Sequence, residues 1–350
     1  MVIEHKKKSK LRMRWIVLSI LLLLHFYQLP FYYTQPGEAK TLAPVIDVEG
    51  GFKEENGSFM LTTVKMGKAN AYFYAWAHLS DYREIIPEEQ IVGPEETDEE
   101  YFHRQAMMMA SSQEAAKMIA YERANKNISI DYHGIMVSSF IEGMPAEKVL
   151  QPGDRITSVN GVAVTSIEQL NEEVAENDNG EDILLTITRE GETLEVITTT
   201  APFPKEVSGG DERIGLGILY PVVDRTVSFS PDVTIDVSKI GGPSAGLMFS
   251  LEIYNQLVKE DITKGYQIAG TGTINEEGNV GRIGGVEQKV VAAHKASVDY
   301  FFVPKEGARE DSNYKEALRT AEEIGTKTKV IGVETFDEAL EFLQELPPKQ

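Results

Sequence analysis

Gly241-Gly242-Pro243-Ser244-Ala245-Gly246, running into Leu247-Met248-Phe249-Ser250-Leu251, is the stretch on which the reading of this chain turns. Glycines let the backbone bend sharply, so the serine hydroxyl can stand at the surface where a strand gives way to an apolar helix. A helix opening at Ser244 would aim unpaired N–H groups at an oxyanion formed beside that hydroxyl. Glycine and serine also fill ordinary turns. The serine therefore acquires meaning only if the chain supplies a base.

Downstream, Tyr266 to Ile274 reads as a strand of small residues and Gly278 to Gly285 as a turn-rich link. Val286 to Ala296 then reads as a helix whose apolar stripe holds Val286, Val290 and Ala293, with Lys289 beside Val286 at i+3. A lysine bordering an apolar stripe is ordinarily one that snorkels to water. A lysine base must instead be neutral, which requires its pKa to fall from about 10.4 toward 7–8. Burial beside Val286 and Val290 acts in that direction.

Taken together, Gly241 to Gly246 and Gly284-Gly285-Val286-Glu287-Gln288-Lys289-Val290-Val291-Ala292-Ala293 resemble the paired signature of the Lon-type serine proteases. Gly270-Thr271-Gly272-Thr273 and the strand Ser297 to Glu306 continue a resemblance that covers about residues 210–345. It implies a serine–lysine dyad, with Ser244 as nucleophile and Lys289 as base. Gly242, Pro243, Ala245, Thr271 and Thr273 are the expected oxyanion or substrate-groove positions, and Thr271 or Thr273 could also orient the ammonium. One departure stands out: ATP-dependent relatives usually carry an aspartate three residues before the serine, where this chain has Gly241. No G-x-x-x-x-G-K-[ST] phosphate loop occurs, so no nucleotide dependence is expected, and no cofactor or metal is expected either.

The chain ahead of the serine has a different texture. Ile135 to Val137, Ile183 to Thr188 and Leu194 to Thr199 read as short strands, Asn160-Gly161 as a tight hairpin turn, and Ile167 to Glu176 as a helix. Tyr132-His133-Gly134-Ile135, Gly143-Met144-Pro145-Ala146, Leu150-Gln151-Pro152-Gly153-Asp154 and Val159-Asn160-Gly161 make residues 127–202 resemble a PDZ domain. Such a domain captures a chain end by adding it as a strand. The resemblance implies carboxylate contacts from Gly134 and Ile135, with His133 nearby; a folded spacer with a closed groove is the other reading.

Further upstream, Gly57 to Val64 and Ala71 to Trp76 read as strands, and Pro36 to Ala43 as a linker. Thr97-Asp98-Glu99-Glu100 has the form of a capping box opening a helix to about Arg123, with Phe102, Ala106, Met109, Ala116 and Ile119 on one stripe. Residues 45–125 are expected to form the first part of the protease domain, so that the PDZ segment is inserted ahead of residues 206–345. The expected fold class is α+β.

The 350 residues carry a formal charge of −21, although residues 1–14 hold six basic residues against one acid. An acidic body repels nucleic acid. Cysteine is absent, which removes disulfides and thiolate chemistry. The basic tail precedes the largely uncharged run from Trp15 to Tyr33, which is long enough for a membrane anchor. Its charge asymmetry puts residues 1–14 in the cytoplasm and the rest outside the cell membrane, facing peptide or protein substrates. Phe31-Tyr32-Tyr33 is too bulky for a signal-peptidase site, which argues against a cleaved leader. A homo-oligomer is compatible with the resemblance. Two other readings remain open. One is a PDZ adaptor with an inactive protease fold; the other is an α/β-hydrolase that takes Gly242-Pro243-Ser244-Ala245-Gly246 as its elbow and His294 as its base.

Overall fold

In the computed structural model the described residues are 13–16, 18–19, 22–53, 56–93, 96–204, 213–237, 240–307 and 309–349. They divide into two compact units, one built from residues 1–127 with 229–350 and the other from 128–228.

The first unit is organised on a six-stranded sheet in the order Lys329–Val333, Tyr300–Pro304, Gln267–Gly270, Ser58–Asn70, Gln28–Thr41, Glu84–Pro87. The first four strands are parallel, and Gln28–Thr41 runs antiparallel to both of its neighbours. The parallel join of Ser58–Leu61 to Gln267–Gly270 closes the unit across more than 200 residues of chain. Parallel strands covered on both faces read as continuous apolar runs, which is how Tyr300-Phe301-Phe302-Val303 comes to be wholly buried.

Seven helices are described. Ala71–Ala77 (α1) follows the strand Ser58–Asn70 directly, with Asn70 Oδ1 accepting from the amides of Tyr72 and Phe73. Asp98–Arg123 (α2) opens on the full capping box expected from Thr97 and Glu100. Ile167–Ala175 (α3) belongs to the second unit. Gly246–Leu257 (α4) is buried at every residue but Tyr254, as an apolar helix in the middle of a layered domain must be. Val286–Lys295 (α5) packs Val286, Val290 and Ala293 against Phe301, Val303 and Ala317 of Asn313–Glu323 (α6). Phe336–Glu345 (α7) buries Phe336, Ala339, Leu340 and Leu343 and is tied to α2 by a two-pronged Arg123–Asp337 pair.

The second unit has a sheet in the order Glu192–Thr199, Asp182–Arg189, Arg155–Val159, Asn127–Met136, Val222–Ser230 around a core of Ile135, Ile156, Leu185 and Ile187. Asn160 and Gly161 both have positive φ, at 48° and 84°, forming the hairpin turn their sequence predicts. The unit extends well past residue 202, because Ile214–Gly215, Ile218–Leu219 and Val222–Ser230 all pair with its strands. The protease portion accordingly resumes near Phe229 rather than 206.

Several local expectations are corrected. Ala71 to Trp76 is helical, since Asn70 caps a turn that the aromatic content alone had suggested was extended. Pro36 to Thr41 and Gln28 to Tyr33 belong to one strand, so neither a linker nor a helical extension of the anchor occupies those positions. Phe102 and Ala106 lie on the exposed side of α2, whose buried face runs through Tyr101, Met109, Ser112, Ala116 and Ile119. Residues 13–16, 18–19 and 22–26 are helical, and among the described residues no helix is long and apolar enough to cross a membrane. The basic tail over 1–12 and residues 17, 20 and 21 of the expected anchor lie outside the described residues.

Candidate active site

The loop 241–245 is held from one side by α2. The amide of Gly242 donates to the Gln105 carbonyl at 3.0 Å, and Ser112 Oγ donates to the Pro243 carbonyl at 2.9 Å. Gly242 takes φ +82°, a conformation an L side chain rarely adopts, so the turn before the serine depends on that glycine. From the other side, the Ser244 carbonyl accepts from the Gly272 amide at 2.8 Å and from Thr271 Oγ1 at 2.9 Å.

These constraints leave Ser244 half-exposed, with Lys289 Nζ 2.8 Å from its Oγ. The two residues are 45 apart in sequence and meet because α5 lies against the same sheet that carries Gln267–Gly270 toward Thr271. Lys289 is only 4% exposed. Its other hydrogen-bond partner is Thr271 Oγ1, at 2.9 Å, and burial lowers its pKa to about 7. Desolvation is the sole cause of that shift, and no carboxylate offsets it. Gly241 is exposed and faces Gln105 of α2, where an added Cβ would come within 3.2 Å of the Gln105 Cβ.

Thr271 is wholly buried, so it does not line a substrate groove; its place is behind the dyad. One hydroxyl does two things there. It gives its proton to the Ser244 carbonyl and takes an N–H from Lys289, which turns the lysine lone pair toward Ser244 Oγ when the amine is neutral. Thr273 sits in the short hairpin strand opposite Gly281, half-buried, and is not bonded to either dyad member.

Among the expected oxyanion positions, Gly242 has already given its N–H to Gln105 and Pro243 has none to give. The helix starts two residues later than expected, at Gly246, and the amides of Gly246 and Leu247 donate to Pro243 and Gly272 carbonyls. That leaves the amides of Ser244 and Ala245, which have no acceptor among the described residues. His294, the base required by the hydrolase reading, has Nδ1 2.9 Å from Thr326 Oγ1, and the serine's partner is Lys289.

In the second unit the expected carboxylate contacts are displaced. His133, Gly134 and Ile135 lie in the strand Asn127–Met136, inside the sheet rather than in a loop. A Cβ on Gly134 (φ +122°) would come within 2.6 Å of the Ile156 carbonyl, Ile135 is in the core, and His133 Nε2 is 2.8 Å from Thr226 Oγ1. The groove of this unit is elsewhere, a cavity of 310 Å³ between α3 (Leu170, Val174, Ala175) and Arg213-Ile214-Gly215-Leu216-Gly217-Ile218. The amides of Leu216 and Gly217 have no acceptor among the described residues. The alternation of glycine with apolar residues over 214–218 was the available signal, and it went unread.

Two segments of the chain match known families, although the more amino-terminal of these matches begins inside α2 and ends before the second unit does. Residues 233–344 match the Lon protease (S16) C-terminal proteolytic domain, and residues 108–200 match the PDZ domain. Lon protease of Haemophilus influenzae is 32% identical over 108 residues, which is 31% of this chain and 12% of that protein. Lon protease of Clostridioides difficile is 34% identical over 100 residues, 29% of this chain and 12% of the relative. The chain thus matches only a small part of the length of these relatives. Among solved structures, the PDZ domain of an SdrC-like protein from Listeria monocytogenes is 22% identical, covering 26% of this chain and 90% of that one with a TM-score of 0.23. Two segments of the chain thus match, in turn, a PDZ domain and the proteolytic domain of a Lon-type serine peptidase.

Proposed function

We propose that this protein is a membrane-tethered serine endopeptidase that cleaves extracytoplasmic peptides or proteins without nucleotide, using Ser244 as nucleophile and Lys289 as general base. The observation that carries the reading is the 2.8 Å approach of Lys289 Nζ to Ser244 Oγ inside a pocket that brings the amine to about 7. At neutral pH about half of such lysines are unprotonated, so the amine accepts the serine proton as Oγ attacks the scissile carbonyl. The oxyanion formed is met by the Ser244 and Ala245 amides, which have no acceptor among the described residues. The lysinium then returns its proton to the leaving amine, and a water takes the same path to release the acyl group.

The groove between α3 and residues 213–218 is the substrate-capturing element in this reading. A peptide would add beside Leu216 to Ile218, with its terminal carboxylate on the amides of Leu216 and Gly217, which have no acceptor among the described residues, and near the exposed Arg213. The tether rests on the apolar run from Trp15 and the basic residues ahead of it, which set the orientation. Nucleotide independence rests on the missing phosphate loop within these 350 residues.

Hydrolysis of casein or a peptide pool by the purified full-length chain, without added nucleotide, tests the reading. Ser244→Ala and Lys289→Ala should each abolish cleavage while His294→Ala leaves it intact. In the wild type kcat/KM should rise with pH through about 7 as the amine loses its proton. Cleavage that survives Lys289→Ala, or a wild type that cleaves nothing, would sink it.

A further inference from the structure

Helix α1 carries the sequence Ala-Tyr-Phe-Tyr-Ala-Trp-Ala, four aromatic residues in seven and no charge. An aromatic cluster of this density ordinarily belongs to a core. Here Tyr72 is 39% exposed, Tyr74 36% and Leu79, just beyond the helix, 78%. The rings are ordered rather than loose: Phe73 stacks on Tyr33 at 4.3 Å, Phe31 meets Tyr74 edge-on at 5.3 Å, and the Arg83 guanidinium lies 3.4 Å above Trp76. Folding has therefore built a rigid aromatic face and left it uncovered.

The face is continuous with the amino-terminal helical residues. Asn70, the residue that caps α1, donates from Nδ2 to the His25 carbonyl at 2.9 Å, and the His25 and Tyr72 rings are 6.2 Å apart. Phe26 and Tyr27 beside them are 73% and 66% exposed, and Trp15, Ile16, Leu18, Leu22 and Leu23 are each more than half exposed. Exposed apolar side chains thus lie both on the described residues of the expected anchor and on α1 of the protease unit. Tyrosine and tryptophan favour the headgroup level of a bilayer, where a ring can be half in hydrocarbon and half in water, and an arginine laid on a tryptophan reaches phosphate from there. The charge of the face is the second argument. In a chain of net charge −21 most of the surface is repelled by anionic lipid, so an aromatic face without acidic residues in its helix, and with the Arg83 guanidinium laid on Trp76, is a part that can approach it.

Resting on the tether proposed above, we infer that α1, with Phe26, Tyr27, Phe31, Tyr33 and Leu79, is an interfacial element that seats the protease unit on the outer surface of the bilayer. A tether alone would let the unit swing; two attachments fix its height and tilt. The distance follows from the strand that ends in α1. Leu61 pairs with Gly270, next to Thr271 behind the dyad, and Asn70 lies nine residues further along. At about 3.3 Å per residue this puts the dyad at most on the order of 30 Å from the membrane surface. Substrates of a seated enzyme are polypeptides presented close to the bilayer.

The chain has two tryptophans, Trp15 and Trp76, which makes the test direct. Trp15→Phe leaves Trp76 as the reporter of α1, and Trp76→Phe leaves Trp15 as the reporter of the anchor. Each full-length variant is reconstituted into phosphatidylcholine vesicles carrying nitroxide either on the headgroup or within the acyl chain. We expect Trp76 emission to be lost with the headgroup nitroxide and much less with the deep one. It should recover when Tyr74→Glu and Leu79→Glu are added to the Trp15→Phe chain. If Trp15 is quenched and Trp76 is not, the tether holds and the seated face is wrong. Trp76 untouched by lipid nitroxide but shielded from aqueous acrylamide would assign the face to a protein contact, which also overturns the inference. If neither tryptophan is quenched, the tether reading itself fails.

Discussion

An amine that is protonated in the unfolded chain but nearly neutral when buried makes folding depend on pH in one direction. The unfolded state holds the Lys289 proton up to its ordinary value of 10.5, whereas the folded state releases it around 7. Between those limits the unfolded chain binds more protons, so stability should increase as pH rises from about 7 toward 10.5. Each tenfold displacement of the equilibrium costs about 1.4 kcal/mol, so the site is maintained against a penalty of several kcal/mol. Lys289→Met keeps the volume and removes the charge. It should abolish hydrolysis, raise the urea midpoint by an amount equivalent to about 1–3 kcal/mol, and flatten the pH dependence of stability over that window. Unchanged pH dependence in the methionine variant would show that Lys289 is not the group responsible. Thr271→Val removes the hydroxyl that orients the amine while preserving shape, and a lost hydrogen bond of this kind is worth about 1 kcal/mol. Steady-state kinetics should therefore show kcat lower by about fivefold to tenfold with KM little changed, because Thr271 is buried behind the dyad and does not reach substrate.

At the scale of elements, what matters is which face a helix turns to its neighbours. The spacing of apolar residues anticipated α3 and α5 almost to the residue, and Thr97 with Glu100 fixed where α2 starts. Phe102 and Ala106 fall off the buried stripe of α2, because a helix edged by methionines offers more apolar positions than the packing against α4 covers. The same ambiguity made α1 read as a strand: Tyr, Phe and Trp favour strands, but Asn70 at its head accepts two amides and turns the chain into a helix. In the second unit, α3 and residues 213–218 form the groove walls, with the exposed Ala175 on the rim. Ala175→Trp should fill the groove without entering the core. Titration with a chain-end peptide should then show affinity weakened on the order of tenfold, while a short internal peptide is cleaved at the wild-type rate. Equal affinity in the variant would move the capture site away from this groove.

For the whole molecule, the decisive join is the parallel pairing of Ser58–Leu61 with Gln267–Gly270, which makes residues 1–127 and 229–350 one unit. The chain leaves it through Asn127–Met136 and returns through Val222–Ser230, neighbouring strands of one sheet. Exit and re-entry are therefore adjacent. Replacing 129–227 by a short glycine-containing turn should leave a folded protein that unfolds cooperatively by calorimetry and still cleaves short peptides, with the loss confined to substrates that need capture. Loss of all cleavage together with loss of the cooperative transition would show that the second unit is required for folding of the first.

By itself the sequence determined the chemistry that could be present: a serine in a glycine turn, a lysine on an apolar stripe, a hairpin at Asn160-Gly161, a capping box at Thr97, and the spacing that resembles a Lon-type domain. These are local patterns, set by backbone conformation and helical period. Only the tertiary structure decided that Ser244 and Lys289 lie 2.8 Å apart, that Thr271 stands behind them, and that Ser244 and Ala245 keep the free amides while Gly242 does not. It also placed 133–135 within a strand, opened a cavity beside 213–218 instead, and left the aromatic face of α1 exposed. The physical reason is common to all of these. Burial and hydrogen-bond partnership are properties of pairs of distant segments, and here those pairs are set by a parallel sheet whose neighbouring strands lie far apart in the chain.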